Sequence, residues 1–315
     1  MKINRIEILN IEQNELNSHV IENIKKIAPT ITKIFYTEAR KMLKTRLIPV
    51  LLLKNGILVR SRGFSLHQST GNHIYQVERF SEWRADEIIY LDISREASHS
   101  IRLSESTIGS TSSNLHNTPK EHETSIVQII RNISKVCYVP LTVGGNIRSL
   151  EDIRIRLSAG ADKVSINTAA LENHDFITEA SEEFGSQCIV VSIDVKVHGD
   201  NWRVYKNFGK EDTGMLVNDW AKMAEKLGAG EILIQSIDKD GAGCGYDLSL
   251  IEYVDGIVKI PIIALGGVGS FDHFIEGSNI GKNIALAAAN IFHFTEQSVL
   301  NAKNFLHESG IDIRV

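Results

Sequence analysis

Eight apolar runs separated by amphipathic segments constrain this chain more than any other feature. They are IPVLLL (48–53), EIIYLDI (87–93), VPLTVG (139–144), KVSIN (163–167), CIVVSIDV (188–195), EILIQSI (231–237), IPIIALG (260–266) and NIALAAA (283–289). The runs are continuous rather than alternating, which predicts strands covered on both faces, as in a parallel sheet. The segments between them read as helices. SLEDIRIRLSAG opens on Ser149 as N-cap and closes on Gly160, and NDWAKMAEKLGAG does the same with Asn218 and Gly228. Eight such β-then-α units in about 250 residues predict a (β/α)8 barrel. Its strands would end in Asp92, Gly144-Gly145, Asn167, Asp194, Ser236, Gly266-Gly267 and Asn290. In such a barrel these ends converge on one face, where active sites are built.

An internal repeat refines the picture. IPVLLLK (48–54) overlays VVSIDVK (190–196), placing Lys54 on Lys196, and EIIYLDIS (87–94) overlays EILIQSID (231–238) at an offset of 144. LTVGGNIRSLEDI (141–153) then overlays IALGGVGSFDHFI (263–275) at 122. The first half therefore carries an insertion, and the polar stretch 95–124 reads as a long loop after the second strand. Two four-unit halves build one barrel over 42–315. Residues 1–41 precede it, either as an extension whose Val20, Ile21, Ile24 and Ile27 would share one face of a short helix, or as a non-native start.

Composition narrows the function. Against 39 Asp+Glu stand 34 Lys+Arg, a net charge of −5, which argues against nucleic-acid binding through a net basic field. No apolar run approaches the roughly 18 residues of a membrane span, and the opening residues lack an apolar targeting core. Cys137, Cys188 and Cys244 show no metal-binding spacing, which fits the cytoplasm and predicts neither metal nor cofactor.

Three groups of residues carry chemistry. Gly144-Gly145 and Gly266-Gly267 each follow a strand and precede a helix, where glycine lets the backbone approach an anion. One such pair is equally well explained by a tight turn. Two at matched repeat positions predict a ligand with two phosphates, with Asn167-Thr168 and Asp240-Gly241 completing the sites. Asp194 ends the fifth run, where partial desolvation suits a carboxylate to acid–base work. Its repeat partner is Leu52, which has no proton to transfer. Arg46, Glu87, Lys163 and Glu231 stand at strand starts, and on their own read as solvated charges.

LTVGGNIRS, AGADKVSINTAA, FGSQCIVVSIDVK, LGAGEILIQSIDKDG, GYDLSLI, IPIIALGGVG and IFHF resemble the cyclase subunit of imidazole glycerol phosphate synthase (HisF), almost throughout 42–315. The resemblance implies a duplicated half-barrel with two phosphate sites, forming a heterodimer with a glutaminase (HisH-like) subunit that sends ammonia through the barrel. Arg46, Glu87, Lys163 and Glu231 then match the ammonia gate, and Asp162 matches a position at the glutaminase interface. Gly144, Gly145, Asn167, Thr168, Asp240, Gly241, Gly266 and Gly267 match phosphate-site positions.

The departures are equally specific. Leu52 stands where the family has a catalytic aspartate, Arg60 matches a lysine and Gln235 a threonine. Asn146 ends the first glycine run, and AAAN replaces a phosphate-site serine. VLLLKNG also resembles a paralogous group associated with amidation of surface sugars in polysaccharide biosynthesis. The leading expectation is an ammonia-using subunit acting on a phosphorylated or nucleotide-linked sugar. The alternatives are the histidine-pathway cyclase itself and a scaffold that only channels.

Overall fold

The eight apolar runs form eight parallel strands, and four further strands project from them as hairpins. In chain order these are β1 (Leu47–Lys54), β2 (Ile57–Arg62), β3 (Leu66–Gly71), β4 (Ile88–Asp92), β5 (Leu141–Gly144) and β6 (Lys163–Ile166). There follow β7 (Ile189–His198), β8 (Asn201–Lys206), β9 (Glu211–Leu216), β10 (Glu231–Ser236), β11 (Ile262–Leu265) and β12 (Ile284–Ala288). The computed structural model describes residues 44–94, 126–281, 283–293 and 298–314. The extension expected over 1–41 and the loop expected over 95–124 fall outside the described residues.

The parallel strands close on themselves. Their order is β1-β4-β5-β6-β7-β10-β11-β12, and β12 returns to β1 through Leu47↔Leu286 and Ile48↔Ala287. This is a (β/α)8 barrel. The unbroken apolar runs follow from that closure, because both faces of every strand are covered. Ile48, Val50, Leu52, Ile89, Val190, Leu233, Ile263, Leu265, Ala285 and Ala287 fill the interior. Their sequence neighbours, among them Leu47, Leu51, Leu53, Ile88, Tyr90 and Val191, pack outward in the larger core. Burying each Leu or Ile contributes about 1.5–3 kcal/mol.

The helices meet the sheet through single stripes. Helix Ile126–Ile133 buries Ile126, Ile129, Ile130 and Ile133, the spacing of one helical face. Helix Leu150–Ser158 starts at Ser149 as expected: Ser149 Oγ accepts from Asp152 N, and Asp152 Oδ2 accepts from Ser149 N. The expected cap at Asn218 is corrected. Helix Val217–Leu227 begins earlier, with Leu216 as an N-cap that makes no side-chain bond, and Asn218 donates to the side chain of Asp219. Val217 fills the core here, so burial sets the start of this helix. Its end is as expected, with Gly228 left-handed at φ 108°.

Two antiparallel hairpins were not among the expected elements. β2 and β3 fold back from β1, and β8 and β9 fold back from β7. Both grow from the first strand of a repeat half. The first turns on Asn55-Gly56, both with positive φ (51° and 76°), the backbone of a tight two-residue hairpin turn.

Candidate active site

Inward-facing residues recur at every second position of a strand. On β1 that line runs from Arg46 through Ile48, Val50 and Leu52 to Lys54. On β6 it joins Lys163 to Asn167, on β7 Val190 to Asp194, and on β10 Glu231 to Gln235. Each line begins at the floor of the barrel, crosses its apolar interior and ends at the mouth.

At the floor the four strand-start charges meet. Arg46 Nη1 donates to Glu87 Oε2 (3.0 Å) and Glu231 Oε1 (3.1 Å). Lys163 Nζ donates to the same two oxygens, at 2.9 and 3.2 Å. The result is a closed ring of alternating charge, more ordered than solvated strand ends require. Thr142 Oγ1 adds a bond of 2.6 Å to Glu87 Oε1, and Glu87 is only 2% exposed. Asp162, on the same end of the barrel, is exposed, and its Oδ2 accepts from Leu141 N (2.8 Å).

At the mouth lies a cavity of about 350 Å³. Its walls include Leu52, Lys54, His67, Asp92, Gly145, Asn146, Asn167, Thr168, Asp194 and Gln235. Asp194 is buried. Desolvation, reinforced by the negative charge of Asp240, pushes its carboxyl up to about 7, and the nearby Asn167 amide offsets this in part. Both amide atoms of Asn167 are themselves buried without a hydrogen bond of good geometry, a state that usually marks a missing partner.

The predicted phosphate positions divide between two places. Gly145, Asn167 and Thr168 line the large cavity, while Asp240, Gly241, Gly266 and Gly267 line a smaller cleft beside it. Leu52 and Gln235 border both. Gly144 is on neither wall. A Cβ there would stand 2.6 Å from Leu91 Cδ2 and 2.9 Å from Ser165 Cβ, so its glycine serves strand packing. Gly145 is more restricted still, at φ 99° and with a virtual Cβ 2.0 Å from Asp92 O.

The hairpins give the mouth a shape that strand ends alone do not. Asp240 Oδ2 accepts from Ser61 Oγ (2.8 Å) and Phe64 N (3.0 Å), clasping β2 and β3 over the rim. Thr168 Oγ1 accepts from Asn207 N (3.2 Å) and holds the β8–β9 turn. Ser61, Phe64, His67, Asn207 and Phe208 thereby become cavity wall. None was singled out from the sequence, although Asn55-Gly56 and Gly209 mark the turns. Arg60 Nε donates to Gln68 Oε1 (2.9 Å), and Arg60 is not part of the cavity wall.

Among the described residues no helix is long and apolar enough to cross a membrane, and all three cysteines are free.

Fold and geometry define a (β/α)8 barrel with its largest described cavity at the C-terminal ends of the strands. The histidine biosynthesis protein family matches residues 46–298. The imidazole glycerol phosphate synthase subunit HisF of Caulobacter vibrioides (strain NA1000 / CB15N) is 40% identical over 276 residues, covering 87% of this chain and 97% of its own. That of Hydrogenobaculum sp. (strain Y04AAS1) is 40% identical over 275 residues, 87% of this chain and 100% of its own. The chain belongs to the histidine biosynthesis protein family, in its HisF branch.

Proposed function

We propose that this chain receives ammonia at its floor from a glutaminase partner, in a heterodimer, and uses it at the mouth on a phosphorylated or nucleotide-linked sugar. One juxtaposition carries this reading: an unbroken floor ring lies under a mouth whose first strand offers Leu52 opposite Asp194. The ring is the equipment for admitting a small donor. The aliphatic interior above it favours neutral ammonia, since an unpaired ammonium ion entering it would lose its hydration without compensation. Asp162 belongs on this reading to the surface that meets the glutaminase.

At the mouth, the glycine-lined turns hold phosphate through backbone N–H groups. Gly145, Asn167 and Thr168 serve one group, and Gly241, Gly266 and Gly267 serve the other. Asp240 orders the wall by holding the hairpin. Asp194 takes up or returns a proton as nitrogen adds. With Leu52 at the opposing position, a reaction that needs two carboxylates lacks one, and losing a proton-transfer group typically costs about 10²- to 10⁴-fold. That favours amidation of a sugar over imidazole ring closure.

The extent of likeness to HisF subunits, 40% over nearly their whole length, favours a second reading: the cyclase of histidine biosynthesis. The two separate in one assay. Purified chain is given ammonium and the substrate of imidazole glycerol phosphate synthase, and product is followed. The amidation reading predicts no turnover above background; turnover typical of a biosynthetic enzyme establishes the cyclase.

A further inference from the structure

The mouth holds a cation that neither the acid–base role of Asp194 nor the phosphate turns employ. Lys54 is the last residue of β1, two positions beyond Leu52 on the same inward line, and it lines the large cavity. Its Nζ lies 3.0 Å from Nδ1 of His67 on β3. An ammonium group has three donors and no acceptor, so this contact makes Nδ1 the acceptor and leaves the ring proton on Nε2. The imidazole thus fixes the direction of the ammonium and uses one of its hydrogens. The repeat counterpart, Lys196, is exposed and outside the cavity. The position on the strand therefore does not by itself place a cation here; the β2–β3 hairpin and His67 do.

We propose that Lys54, aimed by His67, binds a negatively charged oxygen of the substrate between the two phosphate turns, across the cavity from Asp194. The inference rests on the sugar-phosphate reading above and narrows it to sugars that carry a carboxylate in addition to phosphate. The two glycine-lined turns already account for phosphate, so a charge fixed between them calls for a third anionic group. A charge-assisted bond in a partly desolvated site is among the stronger contacts a protein makes. His67 acts as a positioning residue through Lys54.

The test is calorimetric titration of the full chain with two probes, glucuronic acid 1-phosphate and glucose 1-phosphate, which differ at the sugar by a carboxylate. The readout is the ratio of their affinities. Wild type is expected to favour the uronate by about tenfold, and Lys54→Met to bring the ratio to about one. His67→Leu is expected to reduce the ratio, while His67→Gln, whose carbonyl still accepts from the ammonium, largely restores it. A purely structural role for His67 would move both affinities together and leave the ratio alone. A wild-type ratio near one, or a preference that survives Lys54→Met and so belongs to another cation of the cavity wall such as Arg148, overturns the inference and leaves the sugar-phosphate reading intact. Failure of both probes to bind contradicts the sugar-phosphate form of that reading and takes this inference with it.

Discussion

Leu52 and Asp194 stand on diametrically opposed strands, β1 and β7, four places apart in either direction round the closed sheet, and line the same cavity. One wall is aliphatic, and the other carries a carboxyl raised to about 7 by burial. A buried acid with a raised folded pKa keeps its proton while the unfolded chain loses it. It therefore costs nothing below the unfolded value near 3.9, and progressively destabilises the fold as pH rises toward 7. The full cost is about 4 kcal/mol. Asp194→Asn should lower product formation by about 10²- to 10⁴-fold. Urea unfolding at pH 5 and pH 8 should show the variant gaining stability over wild type at the higher pH.

Asp240 links the rim to that carboxyl, since its charge raises Asp194. Asp240→Asn removes the charge, favours ionised Asp194, and should move the inflection of the pH–rate profile below 7. The substitution also weakens the bonds to Ser61 and Phe64, at a cost of about 1–3 kcal/mol. Kinetics across pH 5–9 and a urea curve separate the two effects. An inflection left in place would show that Asp240 does not perturb Asp194 or that Asp194 does not control the rate.

The floor ring predicts an asymmetry between Glu87 and Lys163. Glu87 is almost fully buried and bonded to Arg46, Lys163 and Thr142. Glu87→Ala leaves Arg46 and Lys163 sharing Glu231 alone and should cost about 3 kcal/mol, the low end for a broken buried pair, read as a lower urea midpoint. Lys163→Ala opens the ring more gently. In the complex with a glutaminase it should impair glutamine-driven product formation more than ammonium-driven formation. Equal effects on the two would count against a gate.

Gly145 is held at φ 99°, with no room for a Cβ beneath Asp92 O. Gly145→Ala should destabilise the fold by at least about 1 kcal/mol and weaken binding of inorganic phosphate. Gly199, at φ 62° with nothing within 4 Å of a virtual Cβ, provides the contrast. Gly199→Ala strains only its own turn and should leave phosphate binding unchanged. Thermal melts and phosphate titrations read both.

The barrel was legible because closure covers both faces of each strand, and that leaves continuous apolar runs. The inward line from Arg46 to Lys54 is also implicit in the two-residue period once β1 is known to face a closed interior. The hairpins were less legible. β3 and β9 are short and largely exposed, with polar residues such as Gln68, Ser69, Glu211 and Asp212, so no apolar pattern announces them. Asn55-Gly56 and Gly209 carried turn signals, but a turn alone does not show that the strands after it fold back over the mouth. His67 was missed for the same reason, because its place at the mouth depends on β3 folding back over β1. Asn218 failed as a cap because burial of Val217 determined where its helix begins.

The most direct measurement supplies purified chain with ammonium and the substrate of imidazole glycerol phosphate synthase, and follows the loss of that substrate by absorbance. With Leu52 opposite Asp194, the account predicts no turnover above background in wild type and measurable turnover on Leu52→Asp. Wild-type turnover at a rate typical of biosynthetic enzymes, about 1 s⁻¹ or more, would contradict it.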